Sequence, residues 1–528
     1  MTFDSRITFS RAGVGLSFDS AGVLVYAAHN GWLQSEDFSS GSWTKGNGAT
    51  VTANNVNDPT GALTADRINH VTAGTVAGGT VFQNFTLPVY RAIMSVYAKA
   101  GSKNFAKFNH NANSGANCWF DLSTGVVGTR NATHWLASGI DNIGSGWYRC
   151  WAVMPNTATG ASIQVTEVDN STNCTSPGDI YLWGAQIEQI TTATTPSTYI
   201  PTTTAAVHAP RLDYDPVTLA ARGLLIEEAR TNVVLQNRDL TAAAWTKTNC
   251  TAAKTQTGID GGSNSASSIT ATAANATCLQ AITLASSARY QSAYVKRLTG
   301  SGVINMTMNG GSTWTAVTVT GSWTRVEIPT ATLANPSVGF QIVTNGDAIA
   351  VDLVQNENGA FATSVIPTAA SAITRAADIA TMTGSNFSNW YNASAGTFVA
   401  EFDLFSASGT RGIISADNAA TSERIWLYGS GTDPKVAVTD GSVAQADIDV
   451  GTIAANTVYK LGISFALNDI AGCLDGGTVG TDTSATMPTP TQLRIGADAT
   501  PNYLNGHIRR IRFYNIAKSD ADLQALTT

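Results

Sequence analysis

The sequence predicts an all-β fold, three β-sandwich domains in series, with the second a diverged copy of the first. Three observations predict it. A segment near the N-terminus recurs downstream without a gap, and such repeats are the strongest clue to architecture. Apolar residues alternate with period two in short runs bounded by Gly, Asn and Ser, the pattern of half-buried strands. The chain has 528 residues, whereas single cores stop growing at roughly 250–300 residues.

The repeat runs from Asn30 to Asn47 and again from Asn232 to Asn249, with Trp43-Thr44-Lys45 and Asn47 answered by Trp245-Thr246-Lys247 and Asn249. Further on, Ser95, Tyr97 and Lys99 match Ser292, Tyr294 and Lys296, and Trp147 and Arg149 match Trp323 and Arg325. Gln186 and Glu188, followed by Ile200-Pro201-Thr202, match Gln355 and Glu357, followed by Ile366-Pro367-Thr368. The order holds while the loops shorten, as expected where connections tolerate change. Residues 31–205 and 230–375 are therefore expected to share one topology. Trp147 and Trp323, kept in both copies, are expected in the cores.

The remaining segments follow in order. Residues 1–30 form an arm in which Ile7–Ser10 and Gly22–Tyr26 are strand-like and apolar. A lone apolar strand is unstable in water, so it should pair with an edge of its own first sandwich, a sister subunit or a docking protein. Residues 206–229 read as a linker with a hairpin, and residues 376–393 as a second linker. The third sandwich, 394–528, opens on the alternating run Gly396–Leu404 and contains Asp475-Gly476, a type I′ hairpin signal. Leu493–Gly496 and Leu504–Tyr514 read as a pair of strands with one apolar and one basic face. At the C-terminus, Ser519 can cap a short helix reaching Leu526, with Asp520 and Asp522 in its first turn.

Charged residues make up 13% of the chain and the net charge is −7, which lacks the basic footprint of a nucleic-acid binder. The first residues show no Sec-type signal, and no apolar run has membrane-spanning length, so a soluble protein without membrane insertion is expected. The six cysteines include no C-x-x-C and no His partner at zinc spacing. Buried free thiols are the default. If bridges form, Cys118–Cys150 and Cys250–Cys278 are the pairs, since each lies within one module on expected strands.

Gly223-Leu-Leu-Ile-Glu227-Glu228-Ala-Arg230-Thr-Asn232, ending in Trp245-Thr-Lys247, resembles the junction that precedes a jelly-roll domain similar to carbohydrate-binding modules in tailed-bacteriophage virion proteins. Tyr459 to Leu526, with Leu504-Asn-Gly506-His-Ile508-Arg-Arg510-Ile, resembles the end of a concanavalin-A-like (laminin-G-like) sandwich. The resemblances imply two carbohydrate-binding-like jelly rolls before a laminin-G-like domain. They imply a virion structural protein on the outside of a phage particle, contacting other virion proteins and host surface polysaccharide. Phage appendages are commonly trimeric, so a homo-oligomer, a trimer attached through the N-terminal region, is expected. No heptads or Gly-X-Y run supply a fibre shaft, which favours an appendage of capsid, neck or tail over a self-made tail fibre. A receptor-binding tailspike tip is the alternative.

Catalysis is not expected. Concanavalin-like glycan hydrolases carry Glu-x-Asp-x-x-Glu and need two carboxylates about 5 Å apart. Here the strand reads Glu401-Phe-Asp403-Leu-Phe-Ser406, with Ser at the last position. Glu227 and Glu228 are neighbours on a strand and point to opposite faces, one to solvent and one to Arg230 or another module. The six histidines, His29, His70, His110, His134, His208 and His507, are scattered singly and read as loop or edge positions. Trp426 and Tyr428, two apart on one strand, share a face and are the candidate sugar-stacking pair. Asp58 and Asp469, in the turns Asn57-Asp58 and Asn468-Asp469, are the candidate calcium ligands, calcium being the one cofactor considered.

Overall fold

The computed structural model describes residues 3–528 apart from 86–90, 112, 114, 156–157 and 501. It is all-β, with three sandwiches, and divides into two compact units, Ala28–Ala209 and Met1–Ala27 with Pro210–Thr528. The first unit is module 1. The second contains the arm, module 2 and the C-terminal sandwich.

Modules 1 and 2 share one strand order. One sheet of module 1 runs Ala49–Val56, Ala65–His70, Gly178–Ile190, Arg91–Ala100, Trp147–Met154, Ala137–Gly144. In module 2 the same order is Cys250–Gln256, Ala266–Ala271, Ala348–Asn358, Ser287–Thr299, Thr324–Leu333, with no counterpart to Ala137–Gly144 among the described residues. The facing sheets also agree. Thr44–Gly46, Thr80–Asn84, Gly160–Thr166, Phe105–His110, Asn117–Asp121 and Val126–Arg130 answer to Thr246–Thr248, Ala276–Ala281, Ser337–Ile342, Ile304–Thr307 and Thr315–Val317, with no counterpart to the last strand.

Local geometry repeats with the strand order. The indole N–H of Trp43 donates to the Gln34 carbonyl at 3.0 Å, and that of Trp245 to the Gln236 carbonyl at 3.2 Å. Both glutamines adopt left-handed backbone conformations, φ 51° and 48°. The Asn30 side-chain amide donates to the Ala185 and Ile200 carbonyls, as that of Asn232 does to Val354 and Ile366. Trp147 is buried and donates to the Asn57 carbonyl at 3.1 Å. Trp323 departs from expectation. It lies just ahead of Thr324–Leu333 and is half-buried, with the Lys296 ammonium 5.0 Å from its ring.

Module 1 begins and ends side by side. Val207–His208 pairs with His29–Asn30, and the Ala209 N–H donates to the Ala28 carbonyl at 2.8 Å.

The C-terminal sandwich recruits segments read from sequence as arm and linkers. Its first sheet runs Thr8–Ser10, Ile379–Thr383, Gln492–Ile495, Thr410–Asp417, Arg424–Ser430, Asp433–Asp440, Val443–Asp449. Its second runs Leu212–Tyr214, Ala221–Ile226, Gly506–Tyr514, Ala395–Leu404, Tyr459–Ala466, Asp469–Leu474, Gly480–Asp482. The arm thus pairs with the C-terminal sandwich of its own chain rather than with the first sandwich, one of the three edges considered: Thr8↔Thr381 and Ser10↔Ile379 set the register. Residues 376–393 are no linker, for they hold that strand and the helix Ser385–Ser388 with Phe387 buried. Gln492–Ile495 and Gly506–Tyr514 lie in opposite sheets and do not pair with each other. Asp475 and Gly476 both have positive φ, as a type I′ turn requires. The Ser519 side chain caps Asp520–Thr527 through the Asp522 N–H.

The arm's second half, Leu16–Phe18 paired with Leu24–Tyr26, lies on module 2, where Leu16 and Leu24 pack with Tyr294, Leu353 and Val365. A buried ionic cluster ties arm, junction and sandwich together. Arg11 and Arg211 both meet Asp378, Arg211 meets Glu227 at 2.7 Å, and Arg375 lies 3.4 Å from Glu227. Glu227 also accepts from the Ser364 N–H and hydroxyl, both at 2.6 Å. Burial opposes its charge, but Arg375 and Arg211 outweigh that and hold it well below the usual carboxylate range. The pair divides: Glu227 is fully buried, while Glu228, partly exposed, reaches Arg230 and Asn505.

Candidate functional site

One face of module 1 that differs in chemistry from its counterpart is the outer face of the sheet containing Phe105–His110. Alternation sends Ala106, Phe108, Cys118, Phe120, Ile163 and Val165 into the core, which turns Lys107, Asn109, Asn117, Trp119, Ser162 and Gln164 outward. Cross-strand register then lines up Trp119, Lys107, Gln164 and Thr80 in one row, and Asn117, Asn109, Ser162 and Phe82 in the next. The same row in module 2 is Ala316, Asn305, Gln341 and Thr277. Gln and Thr recur, while an Asn–Ala pair stands where module 1 has Lys and Trp. In module 2 the row is self-satisfied, since the Asn305 amide donates to the Gln341 carbonyl at 2.8 Å.

Lys107 is 5% exposed, and its ammonium lies 6.0 Å from the Trp119 ring. Among the described residues it has neither a carboxylate nor a hydrogen-bond partner. Burial alone pushes it down to about 8 from 10.5. Trp119 is fixed by its indole N–H on the Ser171 carbonyl at 2.8 Å, and Gln164 by its amide on the Gly78 and Thr172 carbonyls, both at 2.9 Å. This leaves the Gln164 side-chain carbonyl free to accept. A buried cation without a counter-charge, next to an indole and an open amide oxygen, is arranged for an anionic polar ligand.

Sequence reasoning missed Lys107, because a Lys in an alternating strand reads as a solvated position. Comparing the two copies position by position, Lys107 against Asn305 and Trp119 against Ala316, is the signal that finds it.

The residues singled out from sequence fall elsewhere. Trp426 and Tyr428 do share the outer face of Arg424–Ser430, apart from the core that takes Ile425 and Leu427. They stack on each other, ring centroids 3.7 Å apart and 6° from parallel, with the Arg424 guanidinium 4.0 Å from the Trp426 ring. Ring faces engaged this way, at 6% and 8% exposure, offer no platform to a sugar. Asp58 is the head of a turn, accepting from Thr60, Ala62 and Thr64; burial would raise it, but these hydrogen bonds hold it below its ordinary value. Asp469 pairs with Ala466 across a tight hairpin turn. The described residues contain no group of three or more His, Cys, Asp or Glu placed for a metal.

All six cysteines are free, so neither Cys118–Cys150 nor Cys250–Cys278 is bridged. Burial pushes the Cys118 and Cys278 thiols up to about 12. His29, His70, His110 and His507 are buried. His507 is held between Asp403 at 2.7 Å and Asp213 at 3.0 Å, so Asp403 serves an ion pair.

A second aromatic group lies on the opposite sheet of module 1, where Tyr97, Trp183 and Tyr199 form a triangle of ring contacts between 4.9 and 5.8 Å. The Tyr199 hydroxyl meets Ser35 at 2.6 Å and donates to Glu36 at 3.2 Å. In module 2 the matching Tyr294 and Val365 are covered by the arm hairpin.

No family model matches the chain, and no curated relative matches it. Among solved structures it is similar to the carbohydrate-binding module of a Ruminococcus gnavus sialidase bound to α2,3-sialyllactose, at 15% identity over 26% of this chain and 84% of that one, TM-score 0.23. It is also similar to the LG4-5 domains of the mouse laminin α1 chain, at 12% identity over 47% and 90%, TM-score 0.21. A third is the tandem carbohydrate-binding domain of Paenibacillus barcinonensis Xyn10C, at 11% identity over 63% and 99%, TM-score 0.20. The neighbours are thus carbohydrate-binding modules and laminin G domains. Among the described residues no helix is long and apolar enough to cross a membrane.

Proposed function

We propose that the protein is a non-catalytic glycan-binding protein whose module 1 takes a carboxylate-bearing sugar at Lys107. The observation that carries this is the buried, unneutralised Lys107 ammonium beside Trp119 and the open Gln164 carbonyl, on the copy of the module that departs from its self-satisfied twin. Module 2 and the C-terminal sandwich then serve as scaffold. The test is titration of the full chain with α2,3-sialyllactose, the ligand of the Ruminococcus gnavus module, and with short polyuronates, using lactose as the uncharged control. Acidic sugars should bind and Lys107→Met should abolish that binding. Equal binding of lactose, or no binding of any acidic sugar, defeats the reading. Release of reducing ends from polysaccharide would defeat its non-catalytic part.

The setting proposed is the outer surface of a tailed-phage particle, as a trimeric appendage of capsid, neck or tail contacting other virion proteins. The resemblance of the junction Gly223–Asn232 to those of tailed-phage virion proteins supports it. Gly223 has φ +116°, and a Cβ there would lie 2.4 Å from the Ile508 carbonyl oxygen, so glycine is required. Glu227, Glu228, Arg230 and Asn232 each hold a buried or interfacial contact, which explains the junction as a clasp between module 2 and the following sandwich. Sedimentation mass and localisation by image reconstruction of the particle test the trimer and the placement.

A further inference from the structure

The outer face that carries Lys107 is covered by a strap of its own module. In module 2 the short connection 343–347 joins Ser337–Ile342 to Ala348–Asn358. In module 1 the longer connection 167–177 joins Gly160–Thr166 to Gly178–Ile190, and its first part is laid across the sheet. Hydrogen bonds trace the path. The Thr172 carbonyl accepts from the Gln164 amide at 2.9 Å, and the Ser171 carbonyl from the Trp119 indole at 2.8 Å. The Asp169 carboxylate accepts from the Thr129 N–H and hydroxyl, both at 2.7 Å. The strands so reached stand in the order Val126–Arg130, Asn117–Asp121, Phe105–His110, Gly160–Thr166. Lys107 faces Trp119 on one side and Gln164 on the other, so the strap passes over it. That is why a lysine on an outer face is only 5% exposed.

The strap is anchored at its ends and weakly held between them. Glu167 is paired with Lys103, and Cys174 is buried. Between them runs Val168-Asp169-Asn170-Ser171-Thr172, whose one apolar side chain, Val168, is 55% exposed. Besides the bonds above, the Gly78 N–H donates to the Thr172 carbonyl at 3.0 Å. The two bonds to Asp169 are open to water. A segment that buries no apolar side chain and hangs on exposed hydrogen bonds opens at little cost. We propose that residues 168–172 are a lid on the Lys107 site, latched by Asp169 on Thr129, which lifts to admit the acidic sugar. The lid rests on the glycan reading of that site. Apparent affinity is then the intrinsic affinity reduced by the fraction of molecules whose lid is open. Loosening the latch therefore tightens binding, whereas loss of a merely structural contact would weaken it.

The test begins without any sugar, as acetylation of the full chain by N-hydroxysuccinimide acetate read by peptide mass spectrometry. Lys107 should label more slowly than exposed Lys254. Asp169→Ala and Thr129→Val should each speed Lys107 labelling about ten-fold, as loss of one hydrogen bond to a charged group implies, with the unfolding midpoint of module 1 unchanged. A reversible lock is available, because a Cβ at Gly128 would lie 2.9 Å from Asp169 Cγ. Gly128→Cys with Asp169→Cys should block labelling when oxidised and release it when reduced. Thr129→Val, which alters no charge, should then tighten binding of α2,3-sialyllactose by a similar factor. Lys107 labelling as fast as Lys254, labelling unmoved by both latch variants, or weaker sialyllactose binding by Thr129→Val would each overturn the lid. Labelling that follows the latch while no acidic sugar binds would keep the lid and defeat the glycan reading alone.

Discussion

Lys107→Met tests the site by stability as well as by binding. Methionine keeps the length and apolar character of the lysine stem and removes only the charge. The descent of the ammonium from 10.5 to about 8 corresponds to roughly 3 kcal/mol of cost for holding the charge in this position. The sign follows from the linkage. A lysine whose folded value is depressed destabilises the fold fully below about 8, and the penalty fades as pH rises toward its unfolded value. Wild-type module 1 should therefore gain stability between about pH 8 and 10.5, while Lys107→Met should lack that rise. At pH 7 the variant should be more stable by about 1–3 kcal/mol, the lower end allowing for water reaching the ammonium. Scanning calorimetry of the full chain across this pH range, with hydrogen exchange reading out module 1, supplies the measurement. The same linkage applies to the ligand: affinity for an acidic sugar should fall about ten-fold per pH unit above roughly pH 8. A Lys107→Met protein that is less stable than wild type at pH 7, or a wild type whose module 1 shows no such rise, would refute the reasoning.

Three further predictions follow from the scaffold. His507 is raised above its ordinary value: burial alone would lower it, but Asp213 and Asp403 outweigh that. Its contribution is therefore complete below about pH 6.5 and is lost as pH climbs through the raised value. His507→Gln should flatten that alkaline decline in the melting temperature of the C-terminal sandwich. Glu227→Gln should cost about 3–5 kcal/mol, since it leaves Arg211 and Arg375 buried with too little negative charge; denaturant unfolding followed by arm hydrogen exchange reads this. Trp147→Ala should cost about 3–5 kcal/mol, whereas half-buried Trp323→Ala should cost at most about half as much, measured by the unfolding midpoint of each module.

Much of the fold could be read from residues alone because it is set locally. Period-two runs such as Gly396–Leu404, the Asp475-Gly476 turn and the Ser519 cap each depend on neighbours within a few positions. Gapless recurrence of Trp43 and Trp245 gave the shared topology. What escaped depends on partners far away in the chain. Thr8–Ser10 finds its edge at Ile379–Thr383, and Arg11 its counter-charge at Asp378, 367 residues on. No local pattern announces such pairings. The site escaped for a related reason. Lys107 becomes unusual only when register sets it between Trp119 and Gln164 and burial strips its water. The shared face of Trp426 and Tyr428 was legible from their spacing, but their stacking on each other was not.

The adjoining ends of module 1 have a consequence for how such a protein can change. Ala28 and Ala209 are joined by a backbone hydrogen bond, so everything between them enters and leaves the chain at one point. The arm before that point and the sandwiches after it make a unit of their own. Module 1 is therefore a cassette. A single recombination exchanging 28–209 would replace Lys107 and its neighbours with another outer face, while Arg11 would still find Asp378. The outer face that carries Lys107 could then change in one genetic event, without the scaffold having to be rebuilt.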